Sequence, residues 1–496
     1  MSPASSPGGG TVPWSGGFVA RELGVDIHSD PSGAVAVEDL VGLALRRNPK
    51  RAHLLVSQVL AKHVPVEPAL AMAAGELLGA FVARELAETP APGSRLPGSP
   101  LAGAAAQLTA ALRATGPSRD AAVSSLAAHV AALRTPVPDA VVLGFAETAT
   151  GLGRLVANAL GAYYIHSTRH ATPGVPLAAG FQEGHSHATS HRMVPADPRW
   201  LDGAGPVVLV DDELSTGSTV INTIRELHAL VPRGRYVVAA LIDLRSPEDR
   251  SRFDRLAGEL GCRISVAALG TGRIGLPGDV LARAQRLLET LEPAPEAGAP
   301  AGRLSLLELT AAEIAPVRSD RYGNTAPPAA AGISRIAADV AGLLERNGCQ
   351  GPVTVVGCEE NIFLPLAVAA ELAALRPAAG VRFSTTTRSP IFPLDRGDYA
   401  ITGALTFASH DDADDGPGVR YAYNLTGAGR RPGTIVAFPE PGADRRALLH
   451  GNPAAGLAGL AAALRTAAAD AVVVLLPADT PAPTTAFATA PEDATP

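Results

Sequence analysis

The fold is decided by one stretch of the sequence, Val207-Val208-Leu209-Val210-Asp211-Asp212-Glu213-Leu214-Ser215-Thr216-Gly217-Ser218-Thr219. Its first four residues are apolar and predict a buried strand. The hydroxyl residues and the glycine after the acids predict a turn into a helix. A strand, a turn and a helix in this order are typical of the βαβ units that build parallel sheets. Such sheets carry their functional groups at the carboxyl ends of the strands, so the turn that follows this strand is the predicted site.

The turn after the acids has the composition of a phosphate cradle. Backbone N–H groups and hydroxyl groups at a helix N-terminus bind phosphate, helped by the positive end of the helix dipole. The predicted cradle contains Ser215, Thr216, Gly217, Ser218 and Thr219. Asp211 and Asp212 stand just before it, where carboxylates can accept hydrogen bonds from vicinal ribose hydroxyls. This order predicts a site for a 5-phosphoribosyl group; the alternative is an ordinary capped helix after a strand.

A second strand-to-helix turn lies one βαβ step earlier in the chain. It follows the apolar run 140–144, and its glycines at 144, 151 and 153 permit a close approach of backbone to a ligand. Its residues are Gly144, Phe145, Ala146, Glu147, Thr148, Ala149, Thr150 and Gly151. Taken alone such a turn is weak evidence, but its place ahead of the ribose motif makes it a second candidate loop for phosphate groups.

Residues 207–219 resemble the signature of phosphoribosyltransferases that use phosphoribosyl pyrophosphate (PRPP), and residues 144–151 resemble the pyrophosphate-binding loop of that family. The resemblance implies a type I phosphoribosyltransferase-like parallel sheet. It also implies Mg²⁺ as cofactor, bound through PRPP and through Asp211 and Asp212. Glu147 departs from the family pattern, which often has a small or basic residue at that place.

Four short segments narrow the resemblance to one branch. They are the NPKRAHLL run at 48–55, the GFAETATGLG loop at 144–153, the HSTR strand end at 166–169 and the TRSP run at 387–390. Together they resemble orotate-phosphoribosyltransferase-like proteins found with tellurium-resistance and stress genes, which carry a C-terminal TRSP domain. A solvated surface is the simpler explanation of the basic run, which begins at Arg46.

A polar stretch rich in histidine separates the two loops. In the family, the matching segment is a mobile hood whose basic groups neutralise the leaving pyrophosphate and exclude water. The resemblance therefore adds Arg169, His185 and His187 to Asp211 and Asp212 as candidate catalytic residues. A zinc site on the histidines and a solvated hairpin are the alternatives. The sequence assigns no general base.

Composition limits the class of protein. Of the 496 residues, 47% are apolar and only 4% aromatic, so the cores must be aliphatic. The formal net charge of −7 disfavours a nucleic-acid partner. The three cysteines form no CxxC pair, which favours a reducing, cytoplasmic compartment. No uninterrupted apolar run reaches the length of a membrane span, so no membrane partner is expected.

The predicted organisation is two α/β units. We expect a disordered leader at 1–16, a phosphoribosyltransferase domain with N-terminal helices at 17–291, a linker at 292–303, a TRSP-type α/β domain at 304–476 and a disordered tail at 477–496. The N-terminal helices are predicted at 35–45, 68–88 and, as a hairpin, 101–133. The strand-loop-helix order of the first unit recurs in the second. The second unit is therefore a candidate diverged duplicate of the first.

The second unit lacks the acid pair, since Phe438-Pro439-Glu440-Pro441 stands in its place. We therefore expect no PRPP site there. Polar residues at its strand ends form a candidate second ligand site, which contains Cys358, Glu359, Glu360, Thr387 and Arg388. The alternative is that this unit completes or covers the first site.

The function predicted from the sequence is Mg²⁺-dependent transfer of a 5-phosphoribosyl group from PRPP to a nucleobase-like small-molecule acceptor, with release of pyrophosphate. A stress-linked pathway of nucleoside-like metabolites is the expected setting. The alternatives are a non-catalytic regulator that senses PRPP and an assembly partner of other enzymes in a stress-linked biosynthetic cluster. A homodimer is expected because members of the family commonly dimerise.

Overall fold

Helices and strands alternate along both halves of the chain in the computed structural model, which describes residues 13–481 except 49, 88–97, 171, 173–174, 183–189, 294–300, 411–417 and 427–432. The first half contains α1 (Gly17–Leu23), β1 (Asp26–Ser29), α2 (Val37–Leu40), β2 (Val41–Leu45), β3 (His53–Ser57), α3 (Pro68–Leu86), α4 (Pro100–Arg113), α5 (Pro117–Ala131), β4 (Val141–Gly144), α6 (Thr150–Leu160), β5 (Tyr163–His166), β6 (Ala179–Gln182), β7 (Ser190–Met193), β8 (Val207–Leu214), α7 (Ser218–Leu230), β9 (Arg235–Asp243), α8 (Pro247–Leu260), β10 (Arg263–Gly275) and α9 (Val280–Thr290). The second half contains β11 (Arg303–Glu308), α10 (Ala330–Arg346), β12 (Val353–Gly357), α11 (Phe363–Leu375), β13 (Arg382–Thr385), β14 (Ala404–Ala408), β15 (Val419–Tyr423), β16 (Thr434–Phe438), α12 (Arg445–His450), α13 (Leu460–Ala467) and β17 (Asp470–Leu475). Short 3₁₀ helices span Asp320–Tyr322, Pro377–Ala379 and Pro453–Ala455.

Each half builds a largely parallel sheet, as the sequence predicts. The first has the strand order β1-β10-β9-β8-β4-β5, with β1 antiparallel to β10, and the second has the order β11-β17-β16-β12-β13. The orders β5-β4-β8-β9 and β13-β12-β16-β17 correspond strand for strand. The next strand differs, because β10 follows β9 in the chain whereas β11 precedes β12. The fold class is confirmed, and the duplication stays a hypothesis with four matching strands.

The central strands are buried on both faces because helices cover the sheets. Strands β4, β9 and β12 are buried along nearly their whole length, which matches their continuous apolar sequences. Helix α3 crosses the first unit and packs on α6, where added Cβ atoms at Gly75 and Gly79 would lie 2.5 Å from Leu155 and Ala159. The two helices can approach this closely only with glycine at those positions.

The N-terminal prediction needs a correction. A helix was expected over 35–45, but α2 ends at Leu40, and the apolar run 41–45 forms strand β2, which pairs antiparallel with β3. All five residues of β2 are buried, so the run has no exposed face to give it the period of an amphipathic helix. The hairpin places the basic run that begins at Arg46 in its turn.

Both predicted terminal segments are partly described. Residues 1–12 and 482–496 lie outside the described residues, but Trp14 donates a hydrogen bond from Nε1 to the carbonyl of Val41 at 2.8 Å. The tail was expected to be disordered from 477. Its first residues instead pair with Val317, whose N–H donates to the carbonyl of Pro477 and whose carbonyl accepts from the N–H of Asp479.

The two units share packing across the predicted linker. Ile391, Phe392 and Tyr399 of the second unit belong to the core of the first. The hydroxyl of Tyr399 accepts a hydrogen bond from the N–H of Leu45 at 2.8 Å. The predicted domain limits remain predictions, since the core does not divide at them. None of the described helices combines the length and the apolar character that a membrane crossing requires.

Candidate active site

Loops from both units line one cleft of about 400 Å³ at the carboxyl end of the first sheet. The residues at its wall are Arg46, Asn48, Lys50, Arg51, Leu54, Leu55, Lys62, His63, Phe145, Ala146, Glu147, Thr148, Arg169, His191, Asp211, Asp212, Glu213, Leu214, Ser215, Thr216, Gly217, Ser218, Thr219, Val220, Thr387, Arg388, Ser389 and Pro390. The predicted acid pair and phosphate cradle thus share the cleft with part of the predicted pyrophosphate loop.

The acids stand in the last part of strand β8, which runs on to Leu214. Asp211 pairs in register with Ala240 of β9, and Glu213 with Ile242. The N–H of Asp212 donates to Oδ1 of Asp211 at 2.9 Å. Burial raises the pKa of Asp211 well above its usual value, and the charge of Asp212 raises it further. The strand that the sequence predicted to end in these two acids extends to Leu214.

A third acid belongs to this wall and is absent from the sequence-based site. Burial and the neighbouring charge of Asp212 raise the pKa of Glu213, while Arg46 and Arg51 act in the opposite direction. Lys62 Nζ lies 3.9 Å from Oδ2 of Asp212. The acidic strand end therefore faces cations from the β2–β3 hairpin and the segment after it.

The phosphate cradle surrounds the start of α7, a helix of 13 residues. Gly217 has a φ of 70°, a backbone conformation that favours glycine. An added Cβ there would also lie 2.5 Å from the ring of Phe253, so the available space requires glycine as well. The hydroxyls of Thr216 and Ser218 are 3.1 Å apart. Arg252 of α8 donates from Nη2 to Oγ of Ser218 at 3.1 Å. Sequence reasoning missed this arginine, which comes from the following βαβ unit.

The predicted pyrophosphate loop connects β4 to α6 and contains a cis peptide bond between Ala146 and Glu147. The N–H of Ala146 donates to Oγ of Ser167 at 3.0 Å, and that hydroxyl lies 2.8 Å from Nδ1 of His191. Residues 145–148 line the cleft, whereas Thr150 borders a smaller pocket beside Glu360. The next strand and the β6–β7 ribbon brace the loop.

The basic run in the turn of the β2–β3 hairpin lies in the wall of the cleft. It is therefore more than a solvated surface. Arg46, Asn48, Lys50 and Arg51 line the cleft, and burial lowers the pKa of Arg46. Lys62 donates from Nζ to Oγ1 of Thr148 at 2.5 Å. Cations from this region therefore reach the predicted pyrophosphate loop as well as the acids.

Of the remaining predicted catalytic residues, Arg169 lines the cleft. His185 and His187 lie outside the described residues. His191 of β7 lies in the cleft wall and was not selected from the sequence. Its place in the histidine-rich stretch was visible in the sequence, but only the pairing of β6 with β7 shows where it lies.

The five residues of the predicted second site are placed in different surroundings. Thr387 and Arg388 line the phosphoribosyl cleft, and Arg388 forms an ion pair through Nε with the carboxylate of Glu147. The single N–H of Arg420 Nε is shared by the two carboxylate oxygens of Glu359, each at 2.6 Å from the nitrogen. Cys358 is fully buried. The TRSP run is thus part of the first site.

Glu360 ties the two units together. Its side chain has no exposed surface, and it accepts hydrogen bonds from Oγ1 of Thr168 at 2.8 Å and from the N–H of Arg169 at 2.9 Å. Burial alone would raise the pKa of Glu360, but His170, Arg321 and the N–H of Arg169 hold it down to about 2. The acid therefore stays ionised inside the contact between the units.

The same cluster has the composition of a metal site. One ligand atom each of His170, Glu360 and Glu440 lies within 4.8 Å of the others. Nη2 of Arg321 lies 3.3 Å from Oε2 of Glu360 and 3.0 Å from Oε2 of Glu440. The guanidinium compensates the acidic charge without a metal ion.

The acid pair, the predicted cradle at the start of α7 and the loop after β4 thus meet at one cleft of a largely parallel sheet. Residues 40–273 match the family model described as phosphoribosyl transferase, and residues 318–457 match that of the TRSP domain that lies C-terminal to it. The chain therefore contains a phosphoribosyltransferase domain followed by a TRSP domain. No curated protein matches it.

Solved structures with similarity to the chain include phosphoribosyltransferases. The adenine phosphoribosyltransferase of Trypanosoma brucei is 17% identical, with 27% of this chain and 57% of that chain covered and a TM-score of 0.21. The Giardia lamblia adenine enzyme is 21% identical over 30% of this chain and 81% of its own, with a TM-score of 0.22. The orotate phosphoribosyltransferase of Aeropyrum pernix is 18% identical over 31% and 66%, with a TM-score of 0.16.

Proposed function

We propose that the protein transfers a 5-phosphoribosyl group from PRPP to a nucleobase-like acceptor and releases pyrophosphate. The observation that supports this most directly is the single cleft at which Asp211, Asp212, the cradle 215–219 and the loop residues 145–148 meet. Each part matches one part of the donor. The acids suit the ribose hydroxyls, the cradle suits the 5-phosphate, and the loop suits the pyrophosphate.

The chain's own groups would act by position and charge. The cradle and the acids hold the sugar so that the bond from C1 to the pyrophosphate oxygen faces the loop. That bond breaks with its electron pair on pyrophosphate, while a nitrogen of the acceptor forms the new bond to C1. Cations at the wall, among them Arg169 and Lys62, stabilise the charge that develops on the leaving group. The acceptor proton passes to solvent, since no general base is assigned.

Magnesium fits the donor atoms of this cleft. Asp211 and Asp212 are partly exposed carboxylates at its wall, and Mg²⁺ prefers oxygen ligands from one or two carboxylates together with substrate phosphates. When bound, the ion would neutralise part of the charge on the leaving pyrophosphate. Desolvation and the neighbouring charge of Asp212 raise the pKa of Asp211, and a divalent cation would act in the opposite direction.

The cellular setting follows from the branch resemblance alone. We place the reaction in the cytoplasm, in a stress-linked pathway of nucleoside-like metabolites with partner enzymes from the same gene cluster. A homodimer belongs to the same proposal.

The test is a mass-spectrometric screen of metabolite extracts, incubated with the protein, PRPP and Mg²⁺, for compounds that gain a phosphoribosyl group. The double variant Asp211→Asn with Asp212→Asn should lose about 100-fold or more in turnover, because the ribose is no longer held in the reactive geometry. Asp202→Asn is the matched control, since Asp202 is an exposed acid of the same unit.

Tight binding of PRPP with no turnover across the screen would contradict transfer and favour the regulator. Retained turnover in the double variant would remove the acid pair from the site.

A further inference from the structure

The two units exchange equivalent residues across their contact. Glu147 stands three residues after the end of β4, and Glu360 three residues after the end of the matching strand β12. Arg169 and Arg388 stand likewise three residues after β5 and β13. Glu360 binds the segment that contains Arg169, and Glu147 binds Arg388. Each unit thus offers an acid to the arginine segment of the other.

The two halves of this exchange differ in their exposure to the cleft. Glu360 is fully buried and binds the backbone of residue 169, so it holds the units in place. The side chains of Glu147 and Arg388 retain 11% and 16% of their exposure and lie at the cleft wall. Both members of the second pair can therefore meet a ligand, whereas Glu360 of the first cannot.

The backbone around Arg388 is braced on both sides. The N–H of Thr387 donates to the carbonyl of Tyr421 at 2.8 Å, and the N–H of Arg47 donates to the carbonyl of Pro390 at 2.9 Å. The hydroxyl of Tyr423 donates to the carbonyl of Ser389 at 2.6 Å. With the backbone fixed, an exchange of partners by Arg388 needs only a rotation of its side chain.

Glu147 is the unexpected charge at this place. It lies in the loop that the proposed function assigns to pyrophosphate, where an anion repels the ligand. Its ion pair with Arg388 neutralises it while the site is empty. A pyrophosphate group carries more negative charge than one carboxylate and also offers oxygen pairs to the guanidinium fork, so it can compete with Glu147 for Arg388.

We propose that Arg388 of the TRSP unit binds the pyrophosphate group of PRPP, and that Glu147 is the counter-ion that competes with pyrophosphate for Arg388 between turnovers. This inference rests on the proposed function. Arg388 keeps its proton throughout and no covalent bond changes, so the step is an exchange of ion pairs. The C-terminal unit then acts in the reaction by adding a cation to those of the first unit, and Glu147 favours pyrophosphate release.

The test is calorimetric titration of the full-length chain, in Mg²⁺, with pyrophosphate and separately with ribose 5-phosphate. Arg388→Gln should weaken pyrophosphate binding about tenfold or more and leave ribose 5-phosphate binding within about twofold. Arg388→Lys should restore part of the affinity. Glu147→Gln should tighten pyrophosphate binding several-fold and strengthen product inhibition by pyrophosphate, because the competing charge is gone.

Arg396→Gln is the matched control, since Arg396 is an exposed arginine of the same unit whose ion pair with Asp398 lies on the surface. A structural ion pair would behave differently: Arg388→Gln and Glu147→Gln would then both lower the melting temperature and weaken both ligands alike. That result, or unchanged pyrophosphate affinity in Arg388→Gln, would overturn the inference and leave the proposed function standing. If the wild-type chain bound neither ligand, the proposed function would fall together with the inference.

Discussion

The two units place different chemistry on the same four strands. At the end of β8, the first unit has Asp211 and Asp212, followed by a turn of hydroxyl groups that opens to a cleft. After the matching strand β16, the second unit has Glu440, and the guanidinium of Arg321 closes the space in front of it. The shared strand order therefore fixes where a site can lie. The residues at the strand ends decide whether that site is open to a ligand or is occupied by side chains of the protein.

The acids at the strand ends of the second unit are paired with arginines of the same unit. Glu359 is paired with Arg420, and Glu360 and Glu440 share Arg321. Burial raises the pKa of Glu440 to about 7, and the charge of Arg321 opposes the shift. Paired charges of this kind leave little for a ligand to bind, so the second unit serves as the partner of the first.

The largest expected effect comes from breaking the buried half of the exchange. Glu360→Gln should lower the free energy of unfolding by about 3 kcal/mol, because it removes one of the two buried anions of Arg321 and the anion that the N–H of Arg169 binds. Urea unfolding at neutral pH measures this. Glu308→Gln is the control: its ion pair with Arg445 is exposed and should contribute less than about 1 kcal/mol. Equal losses in the two variants would show that Glu360 does not hold the units together.

The left-handed glycines of the two turns sharpen the comparison. Gly217 and Gly442 have φ values of 70° and 79°. Alanine at either position should cost about 1–2 kcal/mol of stability, since an L residue is strained there. Only Gly217→Ala should also raise the KM for PRPP, by about tenfold or more, because the new Cβ meets Phe253 and shifts the cradle.

Melting temperatures and steady-state kinetics on the pair provide the measurement. A similar rise of KM in Gly442→Ala would mean that the second turn also contributes to donor binding.

The smallest expected effect concerns the basic hairpin, which belongs to the first unit alone in the described part of the chain. Burial lowers the pKa of His53 to about 4, and the charges of Arg46 and Arg51 contribute to this shift. The unfolded chain then binds more protons than the folded one between about pH 4 and 6.5, so stability is highest above this window and falls as the pH drops through it. Because the ring is partly exposed, we expect a loss of about 1 kcal/mol from pH 7 to 5.

His53→Gln should lack that part of the pH dependence. Urea unfolding of both proteins at the two pH values gives the difference, and parallel curves for wild type and variant would contradict the assignment.

The sequence was sufficient for features that depend on neighbours in the chain. The strand, acids and cradle at 207–219 follow one another directly, so their composition predicts their order and chemistry. The same holds for the loop at 144–151 and for helices such as α3, whose length and apolar content are local properties. The helix predicted for residues 41–45 was wrong because a short apolar segment fits a helix and a strand equally well. Only the pairing of this segment with β3 decides between them.

The sequence by itself predicted a phosphoribosyl site and the residues of its acid pair and its cradle, because these residues are neighbours in the chain. Only the tertiary structure decided that Glu213, Arg46 and Arg388 share that cleft. Pairing between Arg46 and Ile391, from opposite ends of the chain, brings the basic hairpin and the TRSP run together. Such long-range pairing leaves no periodic pattern in either segment, because each side satisfies its hydrogen bonds with a partner that its own neighbours in sequence do not reveal.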